Sequence, residues 1–347
     1  MTRVRAVLLR AAALLTLACA GVAHAAPTCG QTVAAASPTA PSEVRAWLLR
    51  IHSAASGHNF QGTFVVSGGG NVASARITHF CEGPNQYERI ESLDGRQRRV
   101  YRHNDVVHTL WPANHVAMIE QRSMLSSFPA LLQAGDDGIA DWYEVRAEGG
   151  ERVAGHEANV LAIRARDGLR YGYRLWADRA SGLLLRAEVV GERGDILETS
   201  AFSDVVIGIR PQPESVLNEM RRLEGYRVVR PVLTPTRLEA EGWAMRKLAP
   251  GFRPVSCVSR QIEAAGDAAG EPPAPAVIQS IYSDGLTYVS VFIEPYRAER
   301  HAKPMFASIG ATSTLSQRHG DWWVTIIGDT PPATLKIFAA ALERRKP

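Results

Sequence analysis

Cysteines, histidines, paired carboxylates and a run of arginines are the groups in this 347-residue chain whose chemistry could define a site. The four cysteines, Cys19, Cys29, Cys81 and Cys257, show no CxxC or Cys/His spacing of the zinc type, and no metal site is expected. Cys257 has no histidine near it in sequence to take its proton, which argues against a catalytic thiolate. His103 and His108 could face the same way across a hairpin, but read better as surface histidines of two strands. Asp136-Asp137 sits between Gly135 and Gly138, where a helix-ending turn explains the pair better than acid–base work. There is no GxSxG elbow, SxxK, HExxH, P-loop, or GxGxxG placed after a strand. The chain is therefore read as a binding protein, with no catalytic residue and no cofactor.

Two sets of residues could bind. Arg96, Arg98, Arg99 and Arg102 form the densest basic cluster, suited to the phosphates of an anionic lipid head group or an acidic peptide. The same four also read as the solvated, aggregation-blocking side of a sheet edge. Phe64, Val66, Ile77, Leu110, Met118, Phe128, Leu131, Tyr173 and Leu175 are candidates to line an apolar concavity for acyl chains. A sheet that curls only halfway would leave such a concavity open, at about 25 cal/mol per Å² of apolar surface facing water. A fully closed sheet would make the same residues ordinary core.

The elements that must position these groups follow from patterning. Residues 1–25 have a basic start, an apolar stretch of about a dozen residues and Ala23-His24-Ala25, the signature of a secretory signal peptide. An acylated Cys19 is the competing reading, with Thr16 where a branched apolar residue is wanted. The 39 Lys and Arg include Arg3, Arg5 and Arg10 of this leader; without them 36 face 35 Asp and Glu, a net of +1. Bulk charge thus gives no case for nucleic acid. Export allows disulfides, and Cys29–Cys81 is the expected bridge, leaving Cys257 free.

Residues 26–41 read as a flexible segment rich in Ala, Thr, Ser and Pro. Ser42 then opens a helix with Val44, Trp47, Leu48 and Ile51 at helical spacing. From Phe60 to about Phe202 the period is two, in about ten strands separated by turns such as Asp94-Gly95, Asn104-Asp105, Ser181-Gly182 and Arg193-Gly194. A short helix is expected over 124–133. A meandering antiparallel sheet, curved or part of a barrel, is predicted for 42–210. Residues 211–235 carry four prolines and one short helix near 214–223, and read as a linker. Residues 236–347 are read as a smaller α+β unit with strands near 243–247, 255–263, 276–283, 286–294, 307–317 and 321–327, a loop over 266–275, and a last helix after Pro331-Pro332. The predicted class is mainly β with some α, an α+β chain.

Across nearly the whole of its mature length the chain resembles the MucB/RseB periplasmic regulators of the envelope-stress sigma factor. The resemblance is carried by the run Asn59-Phe60-Gln61-Gly62-Thr63-Phe64-Val65, by Glu88-Arg89-Ile90 with Leu93-Asp94-Gly95, and by Tyr173-Arg174-Leu175-Trp176 with Ser181-Gly182-Leu183. Further along it is carried by Gly242-Trp243, Pro250-Gly251-Phe252, Tyr282-Ser283-Asp284-Gly285-Leu286, and the strand from Val289 through Phe292 to Pro295. Gly310-Ala311 and the passage into Pro331-Pro332-Ala333-Thr334-Leu335 complete it. Gly328-Asp329-Thr330 departs from the Gly-Glu-Val expected there.

That resemblance implies an N-terminal half-open barrel like the lipoprotein carriers LolA and LolB, plus a smaller C-terminal domain. It implies a periplasmic protein that binds the periplasmic part of a membrane-anchored anti-sigma factor (RseA/MucA-like) and shields it from proteolysis until lipid or lipopolysaccharide releases it. It allows a homodimer or larger assembly, which no residue pattern demands. Tyr282, Phe292, Tyr296 and Trp322 are the candidates for the partner surface. The alternative readings are a periplasmic lipid or lipoprotein carrier with no signalling partner, and a periplasmic hydrolase.

Overall fold

The computed structural model describes residues 41–121, 138–262, 276–301 and 303–345. The expected signal peptide, almost all of the segment over 26–41, Cys29, the helix expected over 124–133 with Phe128 and Leu131, and the loop over 266–275 lie outside the described residues.

Helix α1 (Pro41–Gly57) buries Val44, Leu48, Ile51 and Ala54, spaced three and four apart so that they share one face. A meander follows: β1 (Phe60–Gly68), β2 (Asn71–Glu82), β3 (Asn85–Ser92), β4 (Arg99–His103), β5 (Val106–Trp111) and β6 (Val116–Gln121). A single helical turn, α2 (Ile139–Trp142), leads into β7 (Tyr143–Val153), β8 (His156–Ala165), β9 (Gly172–Asp178), β10 (Leu184–Val190) and β11 (Ile196–Ile207). Helix α3 (Glu214–Arg221) and the short strands β12 (Arg227–Val229) and β13 (Pro231–Pro235) come next. The C-terminal part comprises β14 (Trp243–Met245), β15 (Arg253–Ile262), β16 (Val277–Ser283), β17 (Tyr288–Pro295), β18 (Met305–Ile309), β19 (Thr312–His319), β20 (Trp322–Gly328), α4 (Pro332–Ala341) and β21 (Leu342–Arg344).

The strands form two large open sheets. The first has twelve strands in the order β12-β6-β5-β4-β3-β2-β1-β11-β10-β9-β8-β7, antiparallel throughout except for the parallel β12–β6 pair. Its end strands do not meet, so the sheet is open rather than a closed barrel. The second has seven strands in the order β13-β15-β16-β17-β20-β19-β18. Strands β14 and β21 pair separately. The mainly β architecture with few helices is the one the residue pattern predicts.

Bulges supply the curvature. The β1–β11 register shifts between Thr63 and Phe64, and further shifts occur on β7 between Ala147 and Gly149 and on β10. Beside the first of them stands Gly62, where an added Cβ would lie 2.3 Å from the Asp204 carbonyl oxygen. Only glycine lets these two strands close up.

Four cores result. Helix α1 packs on Tyr143, Val145, Leu161, Ile163, Tyr173 and Leu175. Phe60, Phe64, Ile77, Trp176, Leu185 and Phe202 make a second. Helix α3 lays Val216 on Phe80, Tyr87, Tyr101 and Leu110. In the second sheet α4 covers Tyr282, Val289, Val291, Ile293, Val324 and Ile326 with Leu335 and Phe338.

Two expectations differ from the structure in detail. Residues 211–235 do more than span a gap: α3 packs on the first sheet, β12 extends that sheet, and β13 extends the second. The single strand expected over 307–317 is a hairpin, β18 and β19, because Gly310 takes φ +58° and reverses the chain.

Candidate functional site

The most elaborate polar constellation joins the two sheets. Arg170, in the β8–β9 loop, has a fully buried side chain, 0 % exposed. Its Nη1 donates to Asp284 Oδ2 at 2.9 Å, its Nε to Asp167 Oδ1 at 2.9 Å, and its Nη2 to the Pro250 carbonyl at 2.6 Å. The guanidinium carbon lies 4.7 Å from the centre of the Trp142 ring, 5.7 Å from Tyr143 and 5.5 Å from Phe252.

Asp284, in the turn between β16 and β17, is equally buried. Its Oδ2 also accepts the Tyr143 hydroxyl at 2.8 Å, and its Oδ1 accepts the N–H groups of Leu286 and Thr287 at 3.0 and 2.9 Å. Charges taken out of water need this degree of pairing. Burial pushes the Tyr143 phenol well above its ordinary range, and the Asp284 charge adds to the effect, so Tyr143 keeps its proton and donates it.

Apolar groups cross the same boundary in both directions. Leu286, from the second sheet's turn, is buried in the core under α1. Leu169, beside Arg170, packs against the core under α4, and its carbonyl accepts the Thr334 hydroxyl at 2.5 Å. The arrangement contains no nucleophile with a base and instead fixes one sheet against the other. Nor do His, Cys, Asp and Glu gather in threes to hold a metal among the described residues.

The arginine cluster divides. Arg96 and Arg98 are exposed and line a cleft of about 440 Å³ with Ser92, Gln97, Trp111 and Asn114. Arg99 points to Glu91, 3.7 Å away. Arg102 is buried, its Nε donating to the Asn104 carbonyl at 2.6 Å. Two cations and an indole wall thus remain available to an anion, while the other two arginines are engaged.

Of the described candidates for one apolar trough, all but Leu110 share one face of the first sheet, where they pack in separate clusters. Phe64, Val66 and Ile77 belong to the Phe202 cluster, Leu110 to the cluster under α3, and Tyr173 and Leu175 to that under α1. Met118 is half-buried, its Sδ 3.8 Å from Arg260 Nη2. The pleat explains Leu110 alone, because Phe64 and Val66 share a face with Ile77, and Val66, Ser200, Ala187 and Leu175 are successive cross-strand partners on that same face. Ile77, Ile90, Val100, Thr109 and Met118 are successive cross-strand partners on one face, which puts Leu110, next to Thr109, on the opposite one.

Among the aromatic candidates for a partner surface, Tyr282 requires correction. It is 3 % exposed, with its ring 5.2 Å from Phe338, because it shares the inward face of β16 with Ile278 and Ser280. Phe292 is half-buried on the outward face of β17. Tyr296 lies under the Arg318 guanidinium at 4.0 Å. Trp322 meets Trp243 edge-on at 5.8 Å, with Arg344 4.9 Å from its ring. Cys81 forms no disulfide within the described residues; its Sγ lies 2.6 Å from the Ser56 carbonyl oxygen. Burial pushes the thiols of Cys81 and Cys257 up, away from nucleophilic use.

Residue patterning missed the Arg170–Asp284 node. Its only local signal is Asp284-Gly285-Leu286, a turn followed at once by an apolar residue that the turn aims outward from its own sheet.

Comparison with known proteins covers both sheets. The MucB/RseB N-terminal domain profile matches residues 43–220 and the MucB/RseB C-terminal domain profile matches 237–343. The chain is 28% identical over 313 residues to the sigma factor AlgU regulatory protein MucB of Pseudomonas aeruginosa, covering 88% of this chain and 92% of that protein. It is 23% identical over 311 residues to the sigma-E factor regulatory protein RseB of Escherichia coli K12, covering 89% and 93%. The solved MucA/MucB complex of Pseudomonas aeruginosa contains a chain similar to this one at a TM-score of 0.64 and 27% identity, over 88% of this chain and 100% of that one.

Proposed function

The chain belongs to the MucB/RseB family, and from that premise we propose that it is a periplasmic regulator of an envelope-stress sigma factor. In this reading it binds the periplasmic part of a membrane-anchored anti-sigma factor, protects that segment from regulated proteolysis, and is released by a lipid or lipopolysaccharide ligand. It acts by binding and has no reaction of its own. The supporting observation is that both family profiles match, in order, over two sheets joined by the buried Arg170–Asp284 node. A MucB chain of this kind is solved in complex with MucA.

The proposed division of labour assigns residues 42–210 to lipid, 236–347 to the protein partner and 211–235 to the connection between them, after a signal peptide over 1–25. The cleft at Arg96 and Arg98 is the proposed seat of an anionic head group.

The test is calorimetric titration of the mature chain with the purified periplasmic segment of the anti-sigma factor from the same source, followed by limited proteolysis of that segment with and without the chain. Binding, protection, and loss of protection on adding lipopolysaccharide are expected. A segment that neither binds nor gains protection overturns the proposal.

A further inference from the structure

Four strands end the two large sheets, and three of them carry the protections that keep sheet edges from pairing. Strand β12 has only three residues and begins with Arg227. Strand β7 carries Glu144, Arg146, Glu148, Glu151 and Arg152 and is bulged at Ala147/Gly149. Strand β13 starts and ends with proline.

Strand β18 has none of these. Its sequence Met-Phe-Ala-Ser-Ile contains no charge and no proline. Met305, Phe306 and Ile309 are 50 %, 46 % and 63 % exposed, and of the three Ile309 also lies against the β1–β2 turn at Gly69. Adjacent residues alternate across the pleat, so Met305 and Phe306 present apolar surface on both faces of the same free edge. Its other side is paired with β19. In water this is an aggregation hazard, and it becomes an asset once a strand is laid along it.

The approach to the strand is basic. Arg297, Arg300 and Lys303 are exposed, Glu299 is the only acid from 297 to 303, and the three cations form no ion pair among the described residues.

We infer that the free edge of β18 receives an extended segment of the partner polypeptide as an added strand, with apolar side chains over Met305, Phe306 and Ile309 and acidic residues beside Arg297, Arg300 and Lys303. This rests on the proposed function, since it names where that partner docks. Backbone hydrogen bonds would supply the pairing, and alternate side chains the selectivity. A second copy of this chain fits less well, because its own β18 has no acidic residue to answer the three cations.

The probe is the purified periplasmic segment of the anti-sigma factor, titrated into the mature chain and into Phe306→Lys/Ile309→Lys. About a tenfold or greater loss of affinity is expected, the scale set by removing central anchors of an interface. Arg297→Glu/Lys303→Glu should weaken binding severalfold at low salt and much less at 0.5 M salt. Hydrogen exchange of the unmutated chain provides a readout that does not depend on the variants folding: the amides of 305–309 should slow when the segment is added. Unchanged affinity in the first variant, or bound segment with no protection at 305–309, overturns the inference and leaves the proposed function standing. Light scattering that shows a dimer abolished by Phe306→Lys/Ile309→Lys, with segment affinity intact, overturns it in favour of self-pairing. If the unmutated chain does not bind the segment at all, the proposed function fails and the inference with it.

Discussion

Arg170→Met keeps the length and apolar stem of the side chain but removes the guanidinium from between the two sheets. Asp284 then retains three of its four donors, the Tyr143 hydroxyl and the N–H groups of Leu286 and Thr287, and loses its countercharge. Breaking a buried ion pair from one side costs about 3–5 kcal/mol. The surviving donors place this variant near the lower end, about 3 kcal/mol. Asp284→Asn fails differently. One amide oxygen still accepts the two backbone N–H groups, but the new NH₂ faces two other donors, Tyr143 Oη and Arg170 Nη1, which puts the loss in the same 3–5 kcal/mol range. In the double variant Arg170→Met/Asp284→Asn the NH₂ no longer meets a cation, and the Tyr143 hydroxyl can rotate to accept from it. The double loss should therefore fall short of the sum by about 2 kcal/mol or more. Urea unfolding followed by tryptophan emission measures this directly, because Trp142 sits 4.7 Å from the guanidinium. Single variants within about 1 kcal/mol of the parent, or losses that simply add, would refute the claim that this pair couples the sheets.

Leu286→Ala empties a site in the core under α1 from the opposite sheet, and a loss of about 2–5 kcal/mol is expected in the same urea assay. A loss under 1 kcal/mol would show that the plug is superficial. Burial, and then the charge of Asp329, raise the Glu198 carboxyl above its ordinary 4.5. The folded state consequently holds this proton more tightly than the unfolded chain, and stability falls as pH rises through the window above 4.5. Glu198→Gln, which can still accept the Ala311 N–H, should raise the melting temperature at pH 7.5 and change it little at pH 4; a lower value at pH 7.5 contradicts the assignment. Arg96→Glu/Arg98→Glu should abolish cosedimentation with anionic phospholipid vesicles while leaving unfolding unchanged. Retained cosedimentation removes the cleft as a head-group site.

Much of the first sheet was legible from residue patterning because its strands obey a strict period of two, and turns such as Asn104-Asp105, with Asn104 at φ 52°, carry their own chemistry. Faces were harder to read. Phe64 and Leu175, both plainly apolar, share a face of the sheet yet went to different clusters, because they stand three strands apart and α1 covers only the second. Tyr282 reads as an exposed aromatic only while α4 is out of view; its burial depends on Phe338, far along the chain. Arg170 and Asp284 lie 114 residues apart, and no local spacing joins them. The β18 edge escaped for a simpler reason. Read as one long strand, 307–317 would itself end the sheet, and the left-handed turn at Gly310 instead lays β18 beyond β19.

A buried ion pair adds little net stability over a packed apolar contact, yet removing one partner is expensive. That asymmetry suits a device that permits one placement of two sheets and penalises others. It also bounds how a releasing ligand can act. A ligand that dislodged the partner by prying the sheets apart would have to bind the opened form more tightly by about 3–5 kcal/mol. That corresponds to an affinity ratio on the order of a hundred- to several-thousand-fold. A ligand that contests the partner's own surface, or the cations inferred above to meet the partner, needs no such ratio. The Arg96/Arg98 cleft and the basic approach to β18 are both cationic and both outside the node, so competition for cations is the less costly route. The release by lipopolysaccharide proposed above should then persist in a chain whose sheets are tethered by an engineered crosslink across the Leu169–Leu286 boundary. Loss of release in the crosslinked chain would show that the sheets must separate after all.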